Sequence, residues 1–434
     1  MRLKTWAAGL AVALSLPFLH GCGNDEAQMG EVRVINATTE YSSLDLYTQA
    51  SDGGDNLVVS GAAPGAASAY TGVDRGAYTF VIKSTGAAAN AATVSGTVAK
   101  TDHYSIVTYL TGGKASATFL SDEESAPASG NAKLRIFNAA TGEAASVDVY
   151  LSTHACNALT VTDTAFASAV TGLQTTYSQV TASAAGTPWN VCVFAAGNTS
   201  TLLLDLPALT LKDQEIATLI LTHTAGGVLL NGAVLDQQGA MTATTSQISR
   251  IRVAADAASS GQVSVTLGSV DLTSLATSPS INDYATLASG TLSGTVTING
   301  TAKPITSLVV APGTDYTLLV SGDATTPVVT LIADNNTPSV SSTSAVKARV
   351  INGVNGLSGT LSATIDNKSL GNVTPNTASA YVQIPATTGT STVQASIVTN
   401  PTSLVNQSFT ASGVYTVFIW GDASAPKLAI SQDR

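Results

Sequence analysis

Charge is scarce in this sequence. Charged residues occupy 11% of 434 positions, against roughly a quarter in an ordinary soluble domain. The 18 basic residues face 28 acidic ones, for a net charge of -10. No basic stripe is present to meet a phosphate backbone, which excludes a nucleic-acid partner. Aromatics are 5% and cysteines number three. Sustained helical stripes with caps are missing, which excludes a helical bundle. Hydrophobic residues nonetheless reach 44%, which excludes a charge-rich disordered chain. Ala, Thr, Ser, Val and Gly fill the space.

The only long apolar run lies at the start. Arg2 and Lys4 precede Trp6–Leu19, and Leu19-His20-Gly21-Cys22 follows. A basic start, a short apolar core and a small residue before the cut describe a secretory signal. The run is too short for a spanning helix, which needs about 20 residues. The ending resembles a bacterial lipoprotein box at Leu19, Gly21 and Cys22 and departs from it at His20. That resemblance implies residues 1–21 as signal peptide, lipidation of Cys22 and a tether over residues 22–30. Two or more acyl chains anchor stably where one does so marginally. Removal of Arg2 and Lys4 with the signal changes the charge from -10 to -12. Gly23 and Asn24 after the cysteine, with no Asp, resemble the outer-membrane class of Gram-negative lipoproteins. The expected location is therefore the Gram-negative cell envelope, as an outer membrane lipoprotein.

Beyond that point one pattern is written four times. Val32-Arg33-Val34-Ile35-Asn36-Ala37, Leu134-Arg135-Ile136-Phe137-Asn138-Ala139, Ile251-Arg252-Val253-Ala254-Ala255-Asp256 and Ala348-Arg349-Val350-Ile351-Asn352-Gly353 open the repeats. Tyr70, Tyr177, Tyr284 and Tyr381 form a second column. A late apolar stretch begins at Tyr104, Ile216, Tyr316 and Tyr415. Within each repeat, short runs rich in Val, Ile, Thr and Tyr alternate with Gly, Asn, Asp and Ser turns, a strand signature. About 100 residues of regular short strands predict a sandwich of roughly seven strands. The fold class is therefore all-β: four tandem immunoglobulin-like β-sandwiches, over residues 31–121, 132–236, 249–333 and 346–432. Polar linkers are expected at 121–127, 237–247 and 334–344, giving four beads on a string that touch at their ends.

The opening Val-Arg-Val-Ile-Asn-Ala, the Asp45-Leu46-Tyr47 and Asp148-Val149-Tyr150 second strands and the late Tyr-Thr strand resemble a bacterial family of unknown function. That family occurs in exported proteins, often lipoproteins, frequently in tandem. The match is weaker in repeats three and four, which have Ser264-Val265-Thr266 and Ala363-Thr364-Ile365. The resemblance implies a sandwich outside the cytoplasm and supplies no catalytic residues.

Candidate chemistry is sparse. Cys156 and Cys192 fall in one repeat of a chain expected in an oxidising compartment, which predicts a structural disulfide. His103, His154 and His223 occupy non-equivalent positions without metal spacing, and no Gly-x-Ser-x-Gly elbow is present. Asp52 with Asp55 and Asn56, and Asp334 with Asn335 and Asn336, fit turns better than a calcium loop. No metal or cofactor is expected. The four arginines fit an outer-facing strand position that pairs across the sheet. Tyr104, Tyr316 and Tyr415 fit corner residues whose hydroxyls bond nearby backbone.

The expected function is a non-enzymatic cell-envelope lipoprotein, a tethered spacer, scaffold or adhesive rod. Its partners would be the membrane, through the lipid, and an envelope glycan or protein. The alternative is a glycan- or polypeptide-binding module that uses the loops at the sandwich ends. Trp189 and Trp420 are the aromatic residues available to that reading.

Overall fold

The structure is a computed structural model and describes residues 28–49, 54–111, 114–140, 146–171, 173–183, 188–224, 226–339, 344–396 and 402–434. The signal segment and Cys22 lie outside the described residues. No helix among the described residues is long and apolar enough to cross a membrane.

Eight sheets pair into four sandwiches. In sandwich one the opening strand Met29–Asn36 lies between Ala66–Ala67 with Thr71–Asp74 on one side and the late strand His103–Thr111 on the other. The closing strand Lys114–Ser121 follows outside the late strand. The second sheet runs Asp55–Ala62, Leu44–Gln49, Gly76–Ser84, Asn90–Val98. Opening and late strands pair in parallel, Glu31 opposite His103 and Arg33 opposite Ser105; the other pairings are antiparallel. The same parallel pairing recurs between Asn131–Asn138 and Ile216–His223, Ile248–Ala257 and Asp315–Gly322, and Ala345–Asn352 and Val414–Asp422.

Because the closing strand runs back along the late strand, the chain enters and leaves sandwiches one, three and four at one end. Glu31 lies opposite His103, and the Asp122 N–H donates to the His103 carbonyl.

Alternate residues of a strand point to opposite faces. Val32, Val34 and Ile106 join Leu44, Leu46, Phe80 and Ile82 in the first core. Their neighbours Ile35, Val107 and Tyr109 are equally buried. They meet Phe137, Ile220 and Leu235 of sandwich two in a separate apolar cluster. Ala254 and Leu319 of sandwich three meet Ile351, Phe418 and Trp420 of sandwich four in the same way. Two sandwiches therefore join through the outer faces of their opening-strand sheets. The late strands are buried on both sides, which is why they read as continuous apolar runs instead of alternating ones.

This corrects the expectation of beads touching at their ends. Sandwiches one with two, and three with four, are face-to-face pairs. Two and three meet through a tight turn: the Asn336 N–H donates to the Gly226 carbonyl at 3.0 Å. Gly227 there has φ +85°, and a Cβ would lie 2.4 Å from the Thr337 nitrogen.

The linkers also differ from expectation. Residues 237–247 contribute a strand, Met241–Thr244, on the outside of the closing strand Leu230–Asp236. Asp122 and Asp334, expected in solvated connectors, are 1% and 3% exposed. Glu124, within the linker expected at 121–127, pairs with Lys133, and Glu123 bonds the His103 ring at 2.8 Å. Cys156 and Cys192 are joined in a disulfide, beside Tyr150 and Phe194.

Candidate functional site: ionic clusters and clefts between paired sandwiches

Each opening-strand arginine is buried at the pair interface: Arg33, Arg135, Arg252 and Arg349 are 7% exposed or less. The parallel register sets a hydroxyl directly opposite. Arg Nε donates to Ser105 at 2.7 Å, Thr218 at 2.8 Å, Thr317 at 2.9 Å and Thr416 at 3.2 Å. On the other flank the guanidinium lies over a tyrosine ring, 4.4 to 4.8 Å from the centroids of Tyr70, Tyr177, Tyr284 and Tyr381. The first two repeated columns thus come together as cation–π pairs.

A carboxylate completes three clusters. Asp122 accepts from Ser105 at 2.5 Å and from Tyr70 at 2.6 Å. Asp334 accepts from Thr317 at 2.8 Å and Tyr284 at 2.6 Å. Asp433 accepts from Thr416 at 2.5 Å. In the third and fourth sandwiches the ion pairs cross the boundary: Arg252 reaches Asp433 at 2.5 Å, and Arg349 pairs with Asp334. Burial and the nearby aspartates push the Tyr70 and Tyr284 hydroxyls far above the ordinary tyrosine range.

The first pair is unequal. The position of Asp433 is held by Gln237, whose N–H donates to the Ile216 carbonyl as that of Asp433 does to Val414. Arg33 and Arg135 therefore share Asp122, at 3.6 and 4.0 Å. Carbonyls of the following turn also serve Arg33, with Gly239 at 2.5 Å. One Arg135 nitrogen is buried without a hydrogen bond.

These aspartates escape a reading that treats polar stretches as linkers. A signal was present: Asp122, Asp334 and Asp433 each follow the late-strand tyrosine by 18 residues. Those tyrosines point to the opposite face and do not join the clusters. Tyr104, Tyr316 and Tyr415 are buried, and each hydroxyl accepts the backbone N–H five residues earlier, from Ala99, Ala311 and Thr410.

Two clefts open along the boundary of sandwiches three and four. One, of about 440 Å³, lies among Arg252, Ile281, Asn282, Tyr284, Ile430 and Asp433. The other, of about 640 Å³, lies among Leu331, Ile332, Asp334, Arg349, Asn376 and Tyr381. They are counterparts: each joins one sandwich's Arg–Tyr pair to the other's closing strand. A third hollow, of about 190 Å³, adjoins Asp256, Asn355, Asp422 and Lys427. Asp256 stands where the other repeats have Ala37, Ala139 and Gly353. Burial pushes its carboxyl up to about 6.

The remaining candidates have local partners. Ser152, His154 and Asp163 are adjacent, but serine and aspartate meet the same ring nitrogen, Nδ1, at 3.5 and 3.0 Å. The serine also donates directly to the aspartate. A nucleophilic triad needs the two on opposite nitrogens. His223 is buried, which pushes its pKa down. Asp55 pairs with Lys83 at 2.7 Å, and Asp52 lies outside the described residues. Among the described residues no three His, Cys, Asp or Glu side chains gather as a metal site. Trp420 is buried in the interface of sandwiches three and four, and Trp189 packs on the core of sandwich two.

Residues 30–150 match the family model "Domain of unknown function (DUF4397)". The match spans sandwich one and ends within the strand Val147–Ser152 of sandwich two. No curated protein matches the chain. Among solved structures, a candidate cell adhesion protein of Bacteroides uniformis is 11% identical, with 48% of this chain and 98% of that chain covered and a TM-score of 0.22. A family 26 carbohydrate-binding module of Eubacterium rectale Amy13K, solved with maltoheptaose, is 9% identical. It covers 48% of this chain, with 97% of its own, at a TM-score of 0.16. Likenesses of this size carry no argument about function.

Proposed function

We propose that the protein is a lipid-tethered component of the Gram-negative cell envelope, held at the outer membrane through Cys22. It acts without catalysis, as a spacer, scaffold or adhesive. The observation that carries this reading is the closure of the repeated polar residues on one another. The four arginines and their tyrosines join sandwich to sandwich, so the repeat serves assembly. The Ser152–His154–Asp163 geometry further supports a non-enzymatic role. The larger cleft, which combines Leu331 and Ile332 with Asn376 and Thr377, favours a second reading in which the protein binds an envelope glycan or polypeptide.

Growth with labelled palmitate tests the tether: the wild type takes up label and Cys22→Ser does not. An unlabelled wild type removes the lipoprotein reading. Protease shaving of intact cells then separates surface adhesion, which requires cleavage, from a periplasmic scaffold.

A further inference from the structure

The two sandwich pairs are built alike, and one place is filled in the first and, among the described residues, open in the second. Gln237 and Asp433 are equivalent by their bonds to the late strand, so Leu235 corresponds to Ser431. Arg33 corresponds to Arg252, so Ala67, opposite Ile35, corresponds to Ile281, opposite Ala254. In the first pair Met241 lies opposite Leu235, and Met241–Thr244 continues the sheet outward along the closing strand. Its Met241 packs against the interface cluster that also takes Ala67. In the second pair the closing strand Ala425–Gln432 is the last strand of its sheet among the described residues. The space that Met241–Thr244 would occupy is the 440 Å³ cleft between Ile281 and Ile430.

An exposed strand edge is a template for pairing, and natural edges are blunted by proline and charge. Pro426 and Lys427 do this at the start of Ala425–Gln432. Ile430, Ser431 and Gln432, beside the cleft, have no such guard. The cleft floor is already neutralised: Arg252 by Asp433, and Arg250 by Asp315 at 2.9 Å. An anionic side chain entering it would find both arginines already paired, and a cation would find only Asp283 at the exposed rim, whereas an uncharged strand adds main-chain hydrogen bonds and fills the gap.

We propose that this edge of sandwich four, with its cleft, is a β-augmentation site for an extended, uncharged segment of another polypeptide. That segment resembles Met241-Thr242-Ala243-Thr244: an apolar side chain turned into the cleft and small hydroxyl residues beside it. Main-chain bonds supply the affinity and the inward side chain the selectivity. The site is a sheet edge, distinct from the sandwich-end loops, and does not depend on the lipid tether.

The probe is a fluorescent synthetic peptide of the chain's own Gln237–Thr245, titrated into the full chain with hydrogen exchange followed in parallel. The expected result is saturable binding to one site, with slowed exchange at Ala425–Gln432. Ile281→Glu should weaken binding at least about tenfold, a difference of about 1.4 kcal/mol, with Trp420 fluorescence unchanged as the mark of an intact interface. A second variant carries the Gln237–Thr245 sequence grafted after Asp433; by covering its own edge it should lose peptide binding. The proposal is overturned by absence of saturable binding up to about 1 mM peptide. It is also overturned by slowing confined to Leu230–Asp236, which would mean exchange with the native strand. Concentration-dependent protection of Ala425–Gln432 without peptide would assign the edge to a second copy and overturn it as well.

Discussion

Arg252 of sandwich three donates to Asp433 of sandwich four at 2.5 Å, with both side chains 2% exposed or less. The bond crosses the boundary between two repeats, and Arg349 returns it to Asp334. Removing one member of such a buried pair strands the other charge, which costs about 3–5 kcal/mol. Asp433→Ala is expected to lower the unfolding free energy by that amount in a urea titration. A loss under about 1 kcal/mol would mean the pair is solvated in solution.

Sandwiches three and four should melt as one unit. A fragment of residues 248–434 is expected to show a single calorimetric transition. A fragment ending at residue 339 would expose Leu319 and leave Arg252 without its partner. It should unfold at lower temperature or aggregate. Two independent transitions in the longer fragment would contradict the shared interface.

The disulfide closes a loop of 36 residues. In the chain-entropy model that stabilises sandwich two by roughly 3–4 kcal/mol. Reduction, or Cys156→Ala with Cys192→Ala, is expected to lower the melting temperature of the full chain and to admit protease first within residues 131–244. An unchanged cleavage pattern would argue against this contribution.

Asp256 gives the second pair a pH dependence. Its carboxyl rises from 3.8 to about 6 because burial disfavours the charge. Between these values the folded form holds the proton more tightly than the unfolded chain. The contribution is therefore present at acid pH and is lost as pH rises through about 6. The shift of about two units sets an upper bound of about 3 kcal/mol. Asp256→Asn, a neutral side chain of the same shape, should be more stable than wild type near pH 7.5. The difference should shrink toward pH 4. Parallel stability curves for the two proteins would refute this.

The sandwiches were legible because strand runs and turn residues obey local rules, and the arginine and tyrosine columns were visible as repeats. Their meeting was not visible. Arg33 and Tyr70 are 37 positions apart, and only the register that places Ser68 beside Val34 brings them together. Asp122 reads as part of a solvated linker because its neighbours Glu123 and Glu124 are charged. Its own burial depends on sandwich two covering it. The pairing itself was written in Ile106-Val107 and Phe418-Ile419, apolar on both faces. A run of that kind says that a strand is covered twice without saying by what.

The common entry and exit end of sandwiches one, three and four sets their response to load. The first and last strands flank the late strand, so their ends lie about 10 Å apart at the sheet spacing. A pull between those ends would open the ladders one bond after another from that side, instead of shearing a whole strand at once. Each of these three sandwiches is then mechanically compliant along the chain and adds little reach while folded. Extension under tension would come from releasing folded chain.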